Sequence, residues 1–131
     1  MNPVSLEWLK SARDDLSLIE HILLDEHLTH LAAFHAQQAI EKSIKALLEA
    51  KNLKVPKTHS PNRLFALVGT GIQEIDSDLL LTLDGLYIES RYPGEFGLLP
   101  DGKPSLSDAQ SFYDFAVSIY ETVFQQIHQE S

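Results

Sequence analysis

The sequence predicts an all-α fold, an antiparallel up-and-down bundle of four or five helices that forms one domain over residues 1–131. Three observations lead to this class. Apolar residues recur at spacings of three and four through most of the chain, as they do on one face of a helix. Gly and Pro residues are concentrated in short stretches between these segments. The apolar run at residues 79–83 has a single β-branched residue, Thr82, so no strand is predicted.

The first two helices follow from capping signals and apolar stripes. Asn2 is suited to cap the first helix, with Pro3 at its first position, and the polar residues 25–27 are expected to end it. Its apolar stripe contains Trp8, Ala12, Leu16, Ile19 and Leu23. The second helix is predicted over residues 28–51, which contain no Gly or Pro. Its stripe contains Leu28, Ala32, Ala39, Ile40, Ile44, Leu47 and Leu48.

Two further helices are expected in the middle of the chain. Residues 52–59, with Pro56, are predicted to form a loop, and Ser60-Pro61 then caps a short helix that ends at Gly69. A fourth helix is expected to begin near residue 76 and to stop near Arg91. It stops there because Tyr92 precedes Pro93, and a residue before proline is biased away from helical angles.

The last helix follows a long loop. Residues 93–104 contain three prolines and three glycines, and a connection of this length in a small domain is typical of a functional or mobile segment. Ser105 is expected to cap the helix behind it. The apolar residues of that helix are again spaced by three and four: Ala109, Phe112, Ala116, Ile119, Val123 and Ile127.

Composition limits the class of protein. The chain has no cysteine, which excludes disulfides and cysteine-ligated metal centres and fits a reducing compartment. No apolar run approaches the length of a membrane span, and the N-terminal residues lack the pattern of a signal peptide. We therefore expect a cytoplasmic protein that does not contact a membrane.

The charge distribution points to one region for anion binding. The net charge of −9 argues against non-specific binding to DNA. Residues 41–73, however, hold six Lys or Arg residues against two acids, whereas the segments on both sides are acidic. Any phosphate-binding site is therefore expected in or near this basic segment.

The second helix and the loop behind it resemble the HEPN domain family, the nucleotide-binding domain of higher eukaryotes and prokaryotes. The resemblance rests on Phe34, Gln37-Gln38-Ala39, Glu41-Lys42, Lys45-Ala46-Leu47-Leu48, Pro56 and Thr58-His59. Arg91-Tyr92-Pro93, one turn after Tyr87, and the first helix with Trp8, Ala12 and Asp15-Leu16 also fit the family. The resemblance covers roughly residues 5–125.

The resemblance implies a helical bundle that usually forms a homodimer. Many members are encoded beside a minimal nucleotidyltransferase and act with it as a toxin–antitoxin pair. The toxin members are metal-independent ribonucleases with an arginine followed four to six residues later by a histidine. Arg91 has no histidine in that range, so this chain departs from the signature and the resemblance favours a nucleotide-binding role.

Three residues of the second helix are candidates for binding a nucleotide or another phosphate-bearing ligand. Gln38, Lys42 and Lys45 are spaced i, i+4, i+7, which places an amide and two ammonium groups on one helical face. The alternative is a solvated face on which Lys45 pairs with Glu41 or Glu49 at i, i+4, each pair contributing about 0.2–0.5 kcal/mol.

The other candidates come from later in the chain. His59 precedes the predicted third helix, where free backbone N–H groups attract anions, or it is a loop histidine bonded to a nearby carbonyl. Arg91 is placed to close over a phosphate, or it interacts with the dipole at a helix end. Tyr92 is placed to stack on a base, or it fills the core.

No catalytic residue, metal or cofactor is predicted. His27 and His30 share a helical face, but a zinc site needs three or four ligands, and His35 is expected to pack beside Ala32 and Ala39 with its nitrogens satisfied. Three functions stay open: a binding module for a nucleotide or for a nucleotidyltransferase, an RNA-cleaving toxin with a histidine supplied from elsewhere, and a structural protein-interaction domain.

Overall fold

The computed structural model describes residues 2–57 and 104–129, and these form three helices. They are α1 (Pro3–Ile22), α2 (Thr29–Ala50) and α3 (Leu106–Gln129). They confirm the first, second and last predicted helices, with α2 one residue shorter at each end. The all-α class is confirmed, since the described residues contain no strand. The predicted third and fourth helices and nearly all of the loop at 93–104 lie outside the described residues.

Asn2 caps α1 and also ties it to α2. Its side-chain Oδ1 accepts hydrogen bonds from the backbone N–H groups of Val4, at 2.9 Å, and Ser5, at 3.4 Å, and Pro3 occupies the first helical position. The predicted cap is therefore confirmed. The amide Nδ2 of Asn2 donates to the carbonyl of Glu49 in the last turn of α2, at 3.1 Å. The start of α1 thus lies beside the end of α2, and the two helices run antiparallel.

The end of α2 explains why the chain turns at residue 52. Asn52 has a φ of 58°, in the left-handed region that Asn tolerates better than most residues. Its N–H donates to the carbonyl of Glu49 at 3.0 Å, and the N–H of Leu53 donates to that of Leu48 at 2.9 Å. This is a Schellman motif, and it satisfies the last carbonyls of α2 before the predicted loop begins.

The middle layer of the described structure is α2, which packs against both α1 and α3. Every member of its predicted apolar stripe except the half-buried Leu28 is fully buried. Ala33, Ala36 and Ala46 are buried as well, so small side chains allow the neighbouring helices to approach closely. At one such point the hydroxyl of Ser5 on α1 donates to the carbonyl of Ala46 at 2.7 Å.

The predicted features of α3 are confirmed. Ser105 and Asp108 form a capping box, in which each side chain accepts a hydrogen bond from the backbone N–H of the other at 3.0 Å. All six residues of the predicted stripe are buried: Ala109, Phe112, Ala116, Ile119, Val123 and Ile127.

A polar contact joins α1 to α3 at the edge of this core. The hydroxyl of Tyr113 on α3 donates to Oε2 of Glu20 on α1 at 2.6 Å, and the guanidinium of Arg13 donates to the same oxygen at 3.0 Å. Burial, followed by this bond to the carboxylate, raises the pKa of Tyr113 to about 12. The same hydrogen bond, aided by the charge of Arg13, lowers the pKa of Glu20 below its ordinary value.

The phenol of Tyr113 is therefore expected to lose its proton at a higher pH than an ordinary tyrosine does. Because its pKa in the folded protein lies above the ordinary value of 10, its contribution to stability is complete below pH 10 and is lost as the pH rises through about 12. Glu20→Gln removes the charged acceptor, so it is expected to lower the midpoint of Tyr113, although burial keeps it above 10.

The measurement is a pH titration followed by NMR of ring-labelled tyrosine, with the Tyr113 signal assigned from Tyr113→Phe. Glu7→Gln, an equal charge change at an exposed position of α1, is the control. Equal Tyr113 midpoints in Glu20→Gln and Glu7→Gln would show that the carboxylate of Glu20 does not raise this pKa.

Candidate functional site

A row of polar side chains runs along α2 and is largely shielded from water. We call it the polar strip; it contains Gln37, Gln38, Glu41, Lys42 and Lys45. Gln37 is fully buried, Glu41 is 2% exposed and Lys45 is 8% exposed. Burying amides and charges costs free energy unless each group has a partner. The strip is therefore stable only because its charges are paired, and the pairs define its geometry.

Asp15 on α1 is the partner of one lysine of the strip. Its Oδ2 accepts a hydrogen bond from the Nζ of Lys42 at 2.8 Å, and its Oδ1 lies 2.9 Å from the Nδ1 of His35. Since an ionised carboxylate only accepts hydrogen bonds, Nδ1 of His35 is the donor in this contact. We call Asp15, His35 and Lys42 the Asp15 cluster. It joins α1 to α2 with one negative charge held by two donors.

Lys45 is paired inside α2 and covered by α1. Its Nζ donates to Oε1 of Glu41 at 3.0 Å and lies 5.2 Å from the centre of the Trp8 ring. An ammonium at this distance from an indole is attracted to the ring electrons. Lys45 is therefore held by a carboxylate of its own helix and by an aromatic ring of the neighbouring helix.

Gln38, Lys42 and Lys45 are the predicted site residues that the structure describes, and both of their ammonium groups are already paired. Lys42 and Lys45 share one side of α2, as their spacing predicts, and the structure turns that side toward α1. The amide of Gln38 donates to Oε1 of Gln37 at 2.9 Å. The i, i+4 pair of Glu41 and Lys45 is present, but the expectation of a solvated face is wrong, because both residues are buried beneath neighbouring parts of the fold.

The remaining candidates, His59, Arg91 and Tyr92, lie outside the described residues. Their meeting with Lys42 and Lys45 stays a prediction. Within residues 2–57 and 104–129, no group of three or more His, Asp or Glu side chains is arranged to hold a metal ion. Over the same residues, no helix is both long and apolar enough to cross a membrane.

Sequence reasoning did not assign Asp15 a partner or include it in the site. The signal was available, because Asp15 lies between Ala12 and Ile19 on the apolar face of α1, where a carboxylate needs a partner. His35 lies between Ala32 and Ala39 in the same way. The sequence predicts partners for both of its ring nitrogens, and this is confirmed for Nδ1.

Comparisons with a family model and with solved structures point to the same protein family. A protein-family model described as the HEPN domain matches residues 5–127, which is nearly the whole chain. The chain belongs to the HEPN domain family. The resemblance noted in the sequence is thereby confirmed, and the polar strip of this HEPN domain consists of residues on which that resemblance rests.

Two solved structures are similar to this HEPN domain. One is TT1696 from Thermus thermophilus, with a TM-score of 0.73 and 30% identity over 95% of this chain and 98% of that one. The other is ST0689, an archaeal HEPN homologue, with a TM-score of 0.71 and 28% identity over 94% of this chain and 97% of that one. A search of curated proteins found no match.

The pairing of Glu41 with Lys45 is expected to make their mutational effects strongly non-additive. Lys45→Met keeps an apolar stem of similar length but removes the cation beside a buried carboxylate. We expect it to lower the free energy of unfolding by about 1–3 kcal/mol. The double variant Glu41→Gln/Lys45→Met is expected to lose less than the sum of the two single losses.

Urea denaturation of the wild type, Glu41→Gln, Lys45→Met and the double variant measures this coupling. Lys10→Met, at an exposed position of α1, is the control and is expected to change stability by no more than about 0.5 kcal/mol. Additive losses in the double variant would show that the two side chains do not stabilise each other.

Proposed function

We propose that this HEPN domain is a binding module for a nucleotide or a related phosphate-bearing ligand, bound where the Asp15 cluster reaches the surface. The observation that carries the proposal is the state of Lys42, whose side chain is paired through one contact yet 22% exposed. An ammonium has three N–H donors, and within residues 2–57 and 104–129 Asp15 alone accepts from Lys42, so Lys42 can donate to a ligand at this edge.

The two lysines have different roles in the proposal. The side chain of Lys45 is 10% exposed and is held between Glu41 and Trp8, so its role is to support the polar strip. Lys42 and the neighbouring His35, with a side chain 23% exposed, are the groups that a ligand would contact. In the proposal, Gln38 of the same helix also contacts the ligand. His59, Arg91 and Tyr92, from later in the chain, complete the site.

The proposal includes protein partners. Family membership supports pairing with a minimal nucleotidyltransferase, as in a toxin–antitoxin system, and assembly of two copies of this chain. A nucleotide-binding module would suit such a pair, since both proteins would then handle the same class of ligand. Ribonuclease activity is not part of the proposal, because no histidine follows Arg91 at the spacing of the family's catalytic motif.

Calorimetric titration with ATP tests the ligand site. Lys42→Ala is expected to weaken ATP binding about tenfold to hundredfold, since a hydrogen bond to a charged group contributes about 1.5–3 kcal/mol. Lys10→Ala makes the same change in net charge at an exposed position of α1 and is expected to leave the affinity unchanged. Adenosine, which lacks the phosphates, is expected to bind far more weakly than ATP.

Two results would contradict this site. Equal losses of ATP affinity in Lys42→Ala and Lys10→Ala would show that the lysines act only through the overall charge of the protein. Equal affinities for adenosine and ATP would show that the protein recognises the base and sugar without a phosphate contact.

The assembly of two copies has its own measurement. Light scattering coupled to size-exclusion chromatography is expected to give twice the 14.7 kDa mass of one chain at micromolar concentration. Exposed apolar side chains on all three described helices, such as Leu6, Leu31 and Phe124, provide surface for such an interface. A mass of one chain over the whole concentration range would contradict the homodimer.

A further inference from the structure

The Asp15 carboxylate is bound in the way that a protein binds a free anion. Its two oxygens accept from two different side chains, Oδ1 from the imidazole of His35 and Oδ2 from the ammonium of Lys42. Both donors come from α2, whereas the acceptor comes from α1. The donors therefore form one unit, and the carboxylate is a ligand supplied by the neighbouring helix.

The environment of this carboxylate differs from that of its neighbour in sequence. The side chain of Asp15 is only 10% exposed, so it faces the seam between α1 and α2. Asp14 is exposed on the same helix. Of these two adjacent carboxylates, only that of Asp15 contacts His35 and Lys42, and its negative charge offsets the positive charge of Lys42.

We infer that Asp15 is a built-in competitor for the phosphate site, occupying the anion position between His35 and Lys42 until a ligand replaces it. The inference rests on the proposed function, since it concerns the regulation of the same site. A ligand must then outcompete an internal carboxylate that is already in place. Attraction to the donors increases with ligand charge, so the site favours polyanions such as ATP or pyrophosphate over ions of low charge.

Replacing Asp15 by asparagine tests the competition. Asp15→Asn removes the negative charge and weakens the internal contact, so ATP is expected to bind about tenfold more tightly than it binds the wild type. Asp14→Asn makes the same charge change one position away and is expected to leave the affinity within about twofold. The measurement is calorimetric titration of both variants with ATP, pyrophosphate and inorganic phosphate.

The affinities for ATP, pyrophosphate and inorganic phosphate show whether the inference holds. The inference holds if Asp15→Asn gains affinity for all three and the wild type prefers ATP and pyrophosphate to phosphate. It is overturned if Asp15→Asn binds ATP as the wild type does or more weakly, or if Asp14→Asn gains as much. Such a result counts against the internal competitor even where Lys42→Ala still weakens ATP binding, in which case the proposed function survives alone.

A second measurement covers the case in which Asp15→Asn does not fold, as judged by circular dichroism. The wild-type protein, labelled with ¹⁵N, is titrated with ATP, and the ring nitrogens of His35 are followed by NMR after assignment with His35→Gln. Exchange of the carboxylate for phosphate is expected to shift the Nδ1 resonance. Saturation with ATP without any change at Nδ1 would overturn the inference, and absence of ATP binding to wild type and variant alike would overturn the proposed function with it.

Discussion

The pairing of charges in the seam between α1 and α2 is the constraint on which the rest of the structure depends. As the middle helix, α2 is covered on most of its sides, yet it carries Glu41, Lys42 and Lys45. A charge removed from water without a partner costs several kcal/mol, which is a large part of the stability of a small domain. Asp15, Glu41 and the ring of Trp8 remove that cost by giving each ammonium a partner.

This arrangement uses more polar groups than packing requires. An apolar residue at position 15 would continue the core of α1, and apolar residues at 41 and 45 would continue that of α2. Buried ion pairs are at best weakly stabilising relative to apolar side chains of similar volume. Their presence in one row of α2 is the feature on which the proposed binding site rests.

The features that were predictable from sequence are local ones. The cap at Asn2, the capping box at Ser105 and the apolar stripes depend on residues within one or two turns, so spacing alone reveals them. In the Asp15 cluster, His35 is 20 positions and Lys42 is 27 positions away from Asp15 in the sequence. These contacts arise only when two helices pack in a particular rotation. Spacing placed Lys42 and Lys45 on one face of α2 and offered Glu41 as a partner for Lys45, but it could not show that Asp15 of another helix pairs with Lys42.

Trp8 is the one tryptophan in the sequence, and its ring lies under the ammonium of Lys45 in the seam. Indole emission is sensitive to a nearby charge and to the entry of water. The fluorescence of the unmodified protein therefore reports on the contact between α1 and α2, with no introduced dye and no second indole to obscure the signal. Any event that separates these two helices, whether a bound molecule, a partner or denaturant, becomes visible through the spectrum of a single natural side chain.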